Sequence, residues 1–370
     1  FFGMATIYAE AVLAQETRVV EPDGTVLGGP VYYIKRAFPN GFGKFLAGFF
    51  AVAIILALGF MGSMVQSNSI GEACQNAFHI PSWVMGLIVS AIAAFIFIGG
   101  VQRIASVTEK IVPIMACLYL LGGLIVLIAR IRYVPETFGM IFKYAFMPDA
   151  IIGGGIGYAL KTAISQGAKR GLFSNEAGMG SAPNAAATAD VSHPAKQGLV
   201  QMLSVFIDTL LICSATAFMC LCSGVVPTKE AAGAAYVQAS MQQALGSFGP
   251  IFIAVSMSLF AFTTLIGNYY YCEGCLKYIL RRDPSRGGML VFRLAATALV
   301  FVGAIVSAGL AWDTADMLQG TMVIINIPVI LILGNKGVAV LKDYMRQRKE
   351  GKTPEFHAAD IGITGTDYWN

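Results

Sequence analysis

Residues 164–190 read ISQGAKRGLFSNEAGMGSAPNAAATAD, and they interrupt a chain that is otherwise strongly apolar. Hydrophobic residues make up 56% of the 370-residue sequence, and charged residues make up only 12%. These charges are too few to solvate the surface of a globular protein of this size. On both sides of the stretch, runs of about 20 apolar residues recur, which is the length that crosses a bilayer as a helix.

The apolar runs favour helices over a β-barrel. They are long and unbroken, and they lack the alternation of apolar and polar residues that marks a barrel strand. Inside lipid, every backbone amide must be paired within a helix or a closed barrel. The sequence therefore predicts an all-α polytopic membrane protein with about nine spans, the first one partial, near residues 1–17, 45–70, 83–100, 111–130, 150–166, 199–224, 249–272, 289–311 and 317–335.

The distribution of Lys and Arg tests this map, because cytoplasmic loops carry the excess of both residues. If the first helix ends in the cytoplasm, Lys161 lies within a span and 20 of the 25 cations lie on the cytoplasmic side. Only four lie on the other side: Arg130, Arg132, Lys143 and Lys229. This asymmetry predicts a multi-pass membrane protein with a cytoplasmic C-terminus, and the expected location is the plasma (inner) membrane.

The predicted organisation is one transmembrane domain, residues 1–341, followed by a polar cytoplasmic tail, residues 342–370. The chain opens inside an apparent helix, without an initiating Met or an N-cap, so we expect an N-terminally truncated sequence. An enzyme is not expected. Only three histidines are present, and the sequence contains no HExxH motif, no GxSxG motif and no pair of membrane-embedded aspartates.

Polar residues cluster at membrane depth in three predicted spans. Each cluster has an ordinary interpretation as interhelical hydrogen bonding. In the fifth span, however, polar residues accompany the glycines at 153–155, and such glycines weaken a helix. Discontinuous helices of this kind form the midplane sites of secondary transporters. Lys161 in the same span leaves two alternatives open, a functional charge or a side chain that extends to the membrane surface.

Seven segments of the sequence resemble the alanine or glycine:cation symporter family, the sodium:alanine symporters. The segments are GMATIYAEAVLA, GGPVYYI, MVQSNSI, KRGLFSNEAGMGSAPNAAATAD, HPAKQGLVQMLSVFIDT, FAFTTLIGNYYYCE and WDTADMLQG. The resemblance implies a LeuT-type fold of two inverted five-helix repeats. It also implies symport by alternating access, in which inward sodium movement drives the uptake of small neutral amino acids such as alanine and glycine.

The same resemblance implies the site. The fifth span is expected to be the broken helix of the second repeat, and its partner helix would precede the chain. The expected substrate-binding residues are Gln66, Asn68, Thr162, Ser165, Gln166, Gly167 and Asn268. The expected sodium ligands are the Thr263 and Thr264 hydroxyls and the Phe260 carbonyl.

The expected partners are alanine or glycine, Na⁺ and the lipid bilayer, with no nucleic acid. Apart from sodium as the coupling ion, no metal and no cofactor is expected. The residues leave open whether sodium or protons drive transport. They also leave open an alternative function, a channel or a non-transporting receptor on a similar helical membrane scaffold.

Overall fold

A computed structural model describes residues 1–21, 24–146, 156–226, 228 and 232–369. In these ranges the chain is helical apart from loops and one antiparallel ribbon, in which β1 (Val19–Val20) pairs with β2 (Val26–Leu27). The helices are α1 (Phe2–Glu16), α2 (Pro30–Ala37), α3 (Gly41–Ile54), α4 (Ser63–Phe78), α5 (Ser82–Ile98), α6 (Gly100–Ala129), α7 (Val134–Phe146), α8 (Ile156–Asn175), α9 (Pro183–Ala186), α10 (Pro194–Val205), α11 (Ser214–Leu221), α12 (Ala234–Leu245), α13 (Phe248–Leu280), α14 (Arg286–Ile305) and α15 (Ala308–Lys349).

Two of the long helices contain a π-helical segment. Ile55–Gly62 joins α3 to α4, and Phe206–Cys213 joins α10 to α11. Short 3₁₀ turns lie at Ile131–Tyr133 and Ala358–Ile361.

Six helices of the described chain are long and apolar enough to cross a membrane: Gly41–Phe78, Arg103–Ala129, Pro194–Leu221, Phe248–Leu280, Arg286–Ile305 and Ala308–Lys349. Large apolar side chains on their outer faces are exposed, as at Ile324 and Leu331, each with 76% of its surface accessible. Such apolar faces are suited to contact with lipid. The prediction of an all-α polytopic membrane protein is confirmed.

The helix ends differ from the predicted spans by several residues at most places, and two of these differences bear on the site and the tail. The last two predicted spans are separated at Val306 and Ser307, because Ala308 already begins α15. α15 then continues to Lys349, beyond residue 341, and the division into a domain and a tail stays a prediction. The fifth predicted span ended at residue 166, but α8 continues to Asn175. Its last turns contain Ala, Lys, Arg and Leu, which favour helix and outweigh the glycines among them. The predicted glycine cluster at 153–155 lies outside the described residues.

α13 lies at the centre of the bundle and packs against α3, α4, α6 and α12. Its Cys272 joins the main core cluster with Phe50 and Ile54 of α3. One turn earlier, the Tyr269 ring stacks on Phe97 of α5, with ring centroids 3.9 Å apart. The helix that carries the predicted sodium pair is therefore held on several sides.

The chain after α15 folds back onto the body of the protein. Phe356, Ile363 and Trp369 are buried in one cluster with residues of α1 and α15. The Trp369 indole N–H donates to the Gln15 carbonyl at 2.7 Å, and the Arg18 guanidinium lies 3.7 Å from the Tyr368 ring centroid. This segment therefore packs across the ends of the helices.

Candidate functional site

A cavity of about 550 Å³ opens where α8 ends. Its walls come from α6, from the segment that follows α8, from α10 with its π-helical continuation, and from α13. Polar side chains contribute much of the lining, and they include Ser174, Asn175, Glu176, Gln201, Asp208, Thr263, Thr264 and Asn268. The volume lies within the range of small-molecule sites in proteins.

The helix breaks in the SNEAGMGSAP motif. Glu176 adopts a left-handed conformation (φ 57°), and Gly178 and Gly180 follow with φ of 89° and 88°. At the two glycines, a β-carbon would lie 2.5 Å from the Ile327 side chain and 2.7 Å from the Phe50 ring, respectively. Each of the two positions therefore requires glycine for two reasons, its positive φ and the lack of space for a β-carbon. The chain becomes helical again only at Pro183, in the short helix α9.

Buried side chains from distant parts of the chain hold this break in place. Glu10 of α1 accepts a hydrogen bond from the Gly178 N–H at 2.8 Å and another from the Asn326 amide at 2.6 Å. The same Asn326 amide donates to the Gly178 carbonyl at 3.0 Å, and its side-chain oxygen accepts from the Tyr33 hydroxyl at 2.6 Å. Glu10 and Asn326 have no accessible surface. A buried network that is fully paired in this way rigidifies its surroundings.

Sequence reasoning did not identify Glu10 or Asn326 as site residues. A signal was present for Glu10, because a carboxyl group inside the apolar run YAEAVLA needs a partner at membrane depth. No comparable signal marks Asn326, since an isolated amide in a span is commonly an interhelical contact.

A second group of hydrogen bonds connects the end of α8 to the π-helical segment after α10. The Asp208 carboxylate accepts from the Ser174 hydroxyl at 2.8 Å and from the Thr209 hydroxyl at 3.2 Å. The Asn175 amide donates to the Thr209 hydroxyl at 3.1 Å. Asp208 thereby forms part of the cavity wall. π-Helical segments often occur at functional sites.

The three predicted sodium ligands lie together on one turn of α13. The Thr263 and Thr264 hydroxyls both donate to the Phe260 carbonyl, at 2.9 Å and 3.0 Å. Their protons are therefore directed into the helix, as is common for hydroxyls in helices, which leaves oxygen lone pairs as acceptors. Both threonines line the cavity, and Asn268 lines it one turn further on. The sodium assignment stays a prediction.

The other predicted substrate residues do not line this cavity. Asn68 donates to the Gly303 and Val306 carbonyls at the end of α14, at 3.2 Å and 2.7 Å. Gln66 is half-buried on α4, two residues before Asn68. The remaining four are exposed on α8: Thr162, Ser165, Gln166 and Gly167. Their roles in substrate binding also stay predictions.

The sequence map placed Lys169 and Arg170 on the side of the tail, but in the structure they lie beside Asp316, far from the tail. Arg170 pairs with Asp316 at 2.5 Å, and the Lys169 ammonium lies 3.5 Å from the same carboxylate. Asp316 is near the start of α15, about 40 Å of helix before Asp343, which is near the end that continues into the tail. The assignment of these two cations to the tail side was wrong. The error arose because the sequence map ended the fifth span before them, whereas α8 runs through them.

His193 connects the start of α10 to the C-terminal part of α15 through two hydrogen bonds. Its Nδ1 accepts from the Ala195 N–H at 3.1 Å, and its Nε2 lies 3.2 Å from the Asp343 carboxylate. Burial lowers the pKa of His193, and this effect outweighs the opposite influence of Asp343. The bond from Ala195 also requires an unprotonated Nδ1. The ring is therefore neutral and donates to Asp343 from Nε2.

Comparisons with known proteins identify one family and several related carriers. The sodium:alanine symporter family matches residues 1–358. The putative sodium/proton-dependent alanine carrier protein YrbD of Bacillus subtilis is 42% identical over 383 residues, covering 100% of this chain and 77% of the relative. The amino-acid carrier protein AlsT of the same organism is 42% identical, covering 99% and 76%. The sodium/alanine symporter AgcS of Methanococcus maripaludis is 38% identical, covering 94% and 76%.

Proposed function

Because the chain belongs to the sodium:alanine symporter family, we propose that it imports alanine across the membrane together with sodium ions. Relatives named as a sodium/proton-dependent alanine carrier and as a sodium/alanine symporter support this function. The structural observation that supports it most is the break at Glu176–Ala182 beside a cavity with polar side chains in its lining. Discontinuous helices of this kind bind substrate and ions in secondary transporters. A channel or a non-transporting receptor is not favoured, since the family and these relatives are carriers.

The proposal extends to the architecture and placement of the protein. We assign the chain a LeuT-type core of inverted repeats in the plasma membrane, with the C-terminus in the cytoplasm. The excess of Lys and Arg on the tail side supports this orientation, even without Lys169 and Arg170. Glycine is proposed as a second substrate. No catalysis, no cofactor and no nucleic acid form part of the proposal, and sodium is the only metal in it.

The cavity offers suitable chemistry for a small zwitterion and a cation. The carboxyl groups of Glu176 and Asp208 both line it, so a cationic ammonium group or a sodium ion is attracted to it. Thr263 and Thr264 line the same cavity from α13, and oxygen ligands such as their hydroxyls are those that a hard cation prefers. Glu10 accepts a hydrogen bond from the Gly178 N–H and so positions the backbone of the break.

Transport in proteoliposomes tests the function. With an inward sodium gradient, we expect labelled alanine to accumulate above its external concentration, and we expect an ionophore that collapses the gradient to release it. A potassium gradient of equal size is the control, and a proton gradient alone tests the coupling ion. Uptake that merely equilibrates alanine, whatever the gradient, would contradict symport and would support a channel.

The sodium site is tested by Thr263→Val and Thr264→Val, which keep the side-chain volume and remove the oxygen. Each variant should need a sodium concentration about tenfold higher for half-maximal uptake, corresponding to about 1.4 kcal/mol for a lost ligand. Saturating sodium should restore the affinity for alanine, because the two ligands promote each other's binding equally.

Thr297→Val is the matched control for the sodium site. Its hydroxyl also bonds within its own helix, to the Arg293 carbonyl at 2.8 Å, but on α14 and outside the cavity. This variant should keep the parent's sodium dependence. If Thr263→Val and Thr264→Val need no more sodium for half-maximal uptake than Thr297→Val does, the ion is bound elsewhere.

A further inference from the structure

A second cavity, of about 530 Å³, lies at the C-terminal end of α13, away from the break. The start of α3 and the helix α2 complete its walls, and these elements bring five cations together. The cationic residues are Lys35, Lys44, Lys277, Arg281 and Arg282, and the acidic residues of the lining are Glu21 and Asp283. The cavity thus has a formal excess of three positive charges.

Most of this charge has no carboxylate partner within the described chain. Lys277 pairs with Asp283 at 3.0 Å, whereas no ion pair is formed there by the other four cations. Lys35 instead lies 5.7 Å from the ring centroid of Tyr278, which also lines the cavity. Like charges gathered without counterions repel one another, so the cavity should gain stability from an anion.

The rim of the cavity is apolar on the side that faces lipid. Val52 of α3 and Ile279 of α13 both line it, with 45% and 38% of their surfaces accessible. Beside the lining residues of α3, Phe45 and Phe49 are 68% and 47% accessible. A ligand with a charged head and apolar chains would satisfy both regions at once, whereas a free inorganic anion would use only the cations.

The cavity opens on the side of the protein that carries the tail. Lys35 contributes to its wall, and the neighbouring Arg36 on α2 donates to the carbonyls of Thr364 and Gly365 in the tail segment. In the orientation proposed above, this is the cytoplasmic side, where juxtamembrane cations meet anionic lipid.

We propose that this cavity binds the phosphate group of an anionic phospholipid, with the acyl chains along the outer face of α3. The Arg281 and Arg282 guanidinium groups supply planar donors that suit phosphate oxygens, and Lys44 supplies a further charge. The volume is that of an ordinary ligand site, and basic pockets between membrane helices are known to take lipid headgroups. This site goes beyond alanine and sodium transport and does not depend on it.

Native mass spectrometry of the purified protein in neutral detergent tests the site. Phosphatidylglycerol and phosphatidylcholine with identical acyl chains are titrated in parallel. We expect the parent protein to prefer phosphatidylglycerol by more than tenfold, since each nearby cation contributes about fivefold to the binding of an anionic lipid. The triple variant Lys44→Gln, Arg281→Gln, Arg282→Gln should lose this preference.

Two controls separate the cavity from net charge and from misfolding. The triple variant Lys342→Gln, Arg348→Gln, Lys349→Gln removes the same charge from exposed positions near the end of α15 and should keep the preference. Exchange of the cavity residues for other cations, as Lys44→Arg, Arg281→Lys, Arg282→Lys, should also keep it.

The competing source of phosphate is tested in the same experiment. Inorganic phosphate at a large excess over the lipid should leave phosphatidylglycerol bound, because it lacks the apolar chains. Complete displacement would show that a free anion is the ligand and would overturn the proposal. Equal binding of the two lipids by the parent protein, or an unchanged preference in the glutamine variant, would overturn it as well.

Discussion

Replacement of Glu10 by Ala is expected to abolish sodium-driven alanine uptake and to lower the free energy of unfolding by about 2–5 kcal/mol. The substitution removes the acceptor of two buried N–H groups, the Gly178 N–H and one N–H of the Asn326 amide, whose other N–H keeps the Gly178 carbonyl. Each unpaired group costs about 1–3 kcal/mol. The loss falls on the break itself, because Gly178 lies between Glu176 and Gly180 in the non-helical segment.

Glu10→Gln should be an intermediate case. One amide oxygen can still accept a hydrogen bond, but the new NH₂ group then faces a second donor. Glu109→Ala, at an exposed position on α6, is the control and should change little. Uptake in proteoliposomes and thermal unfolding in detergent measure both effects. If Glu10→Ala transports alanine at the parent's rate, the network is not needed to hold the break.

Replacement of Gly303 by Ala is the second change with a large expected effect, a loss of about 3 kcal/mol of stability. A β-carbon at Gly303 would lie 2.4 Å from the Met64 Cα and 2.7 Å from the Met64 carbonyl oxygen. These are backbone atoms of α4, so relief requires that α14 move away as a whole. That movement would also strain the bond from Asn68 to the Gly303 carbonyl. Small residues allow such close approach of membrane helices.

The control is Gly309→Ala in the first turn of α15, where the added methyl group meets no atom within 4 Å among the described residues. Alanine is the better helix former, so this variant should match the parent or exceed it slightly. Thermal unfolding in detergent compares the two variants. Equal melting temperatures would mean that α4 and α14 are not in contact as the structure has them.

The sequence singled out the cavity-lining residues of α13 but not those at the end of α8, for a physical reason. Thr263, Thr264 and Asn268 lie within two turns of one regular helix, where spacing alone places side chains on related faces. The part of the lining with Ser174, Glu176 and Asp208 depends on where α8 stops. The sequence map ended the fifth span at residue 166, although the residues that follow favour helix.

The sequence predicted about nine spans, and for the six that the described residues show as long apolar helices it determined their existence and approximate position. The requirement is local, because each apolar run must satisfy its own backbone over the thickness of the bilayer. The family could also be recognised from motifs such as SNEAGMGSAP, although a motif does not state which of its residues leave the helix.

Only the tertiary structure decided which residues of this motif leave the helix. The left-handed conformation of Glu176 and the turns formed by the next residues are held by groups far away in the sequence, with Glu10 separated by 168 residues from Gly178 and Asn326 by 148. A strained backbone of this kind persists only where surrounding groups determine it. Since those groups come from α1 and α15, the position of the break is a property of the assembled bundle.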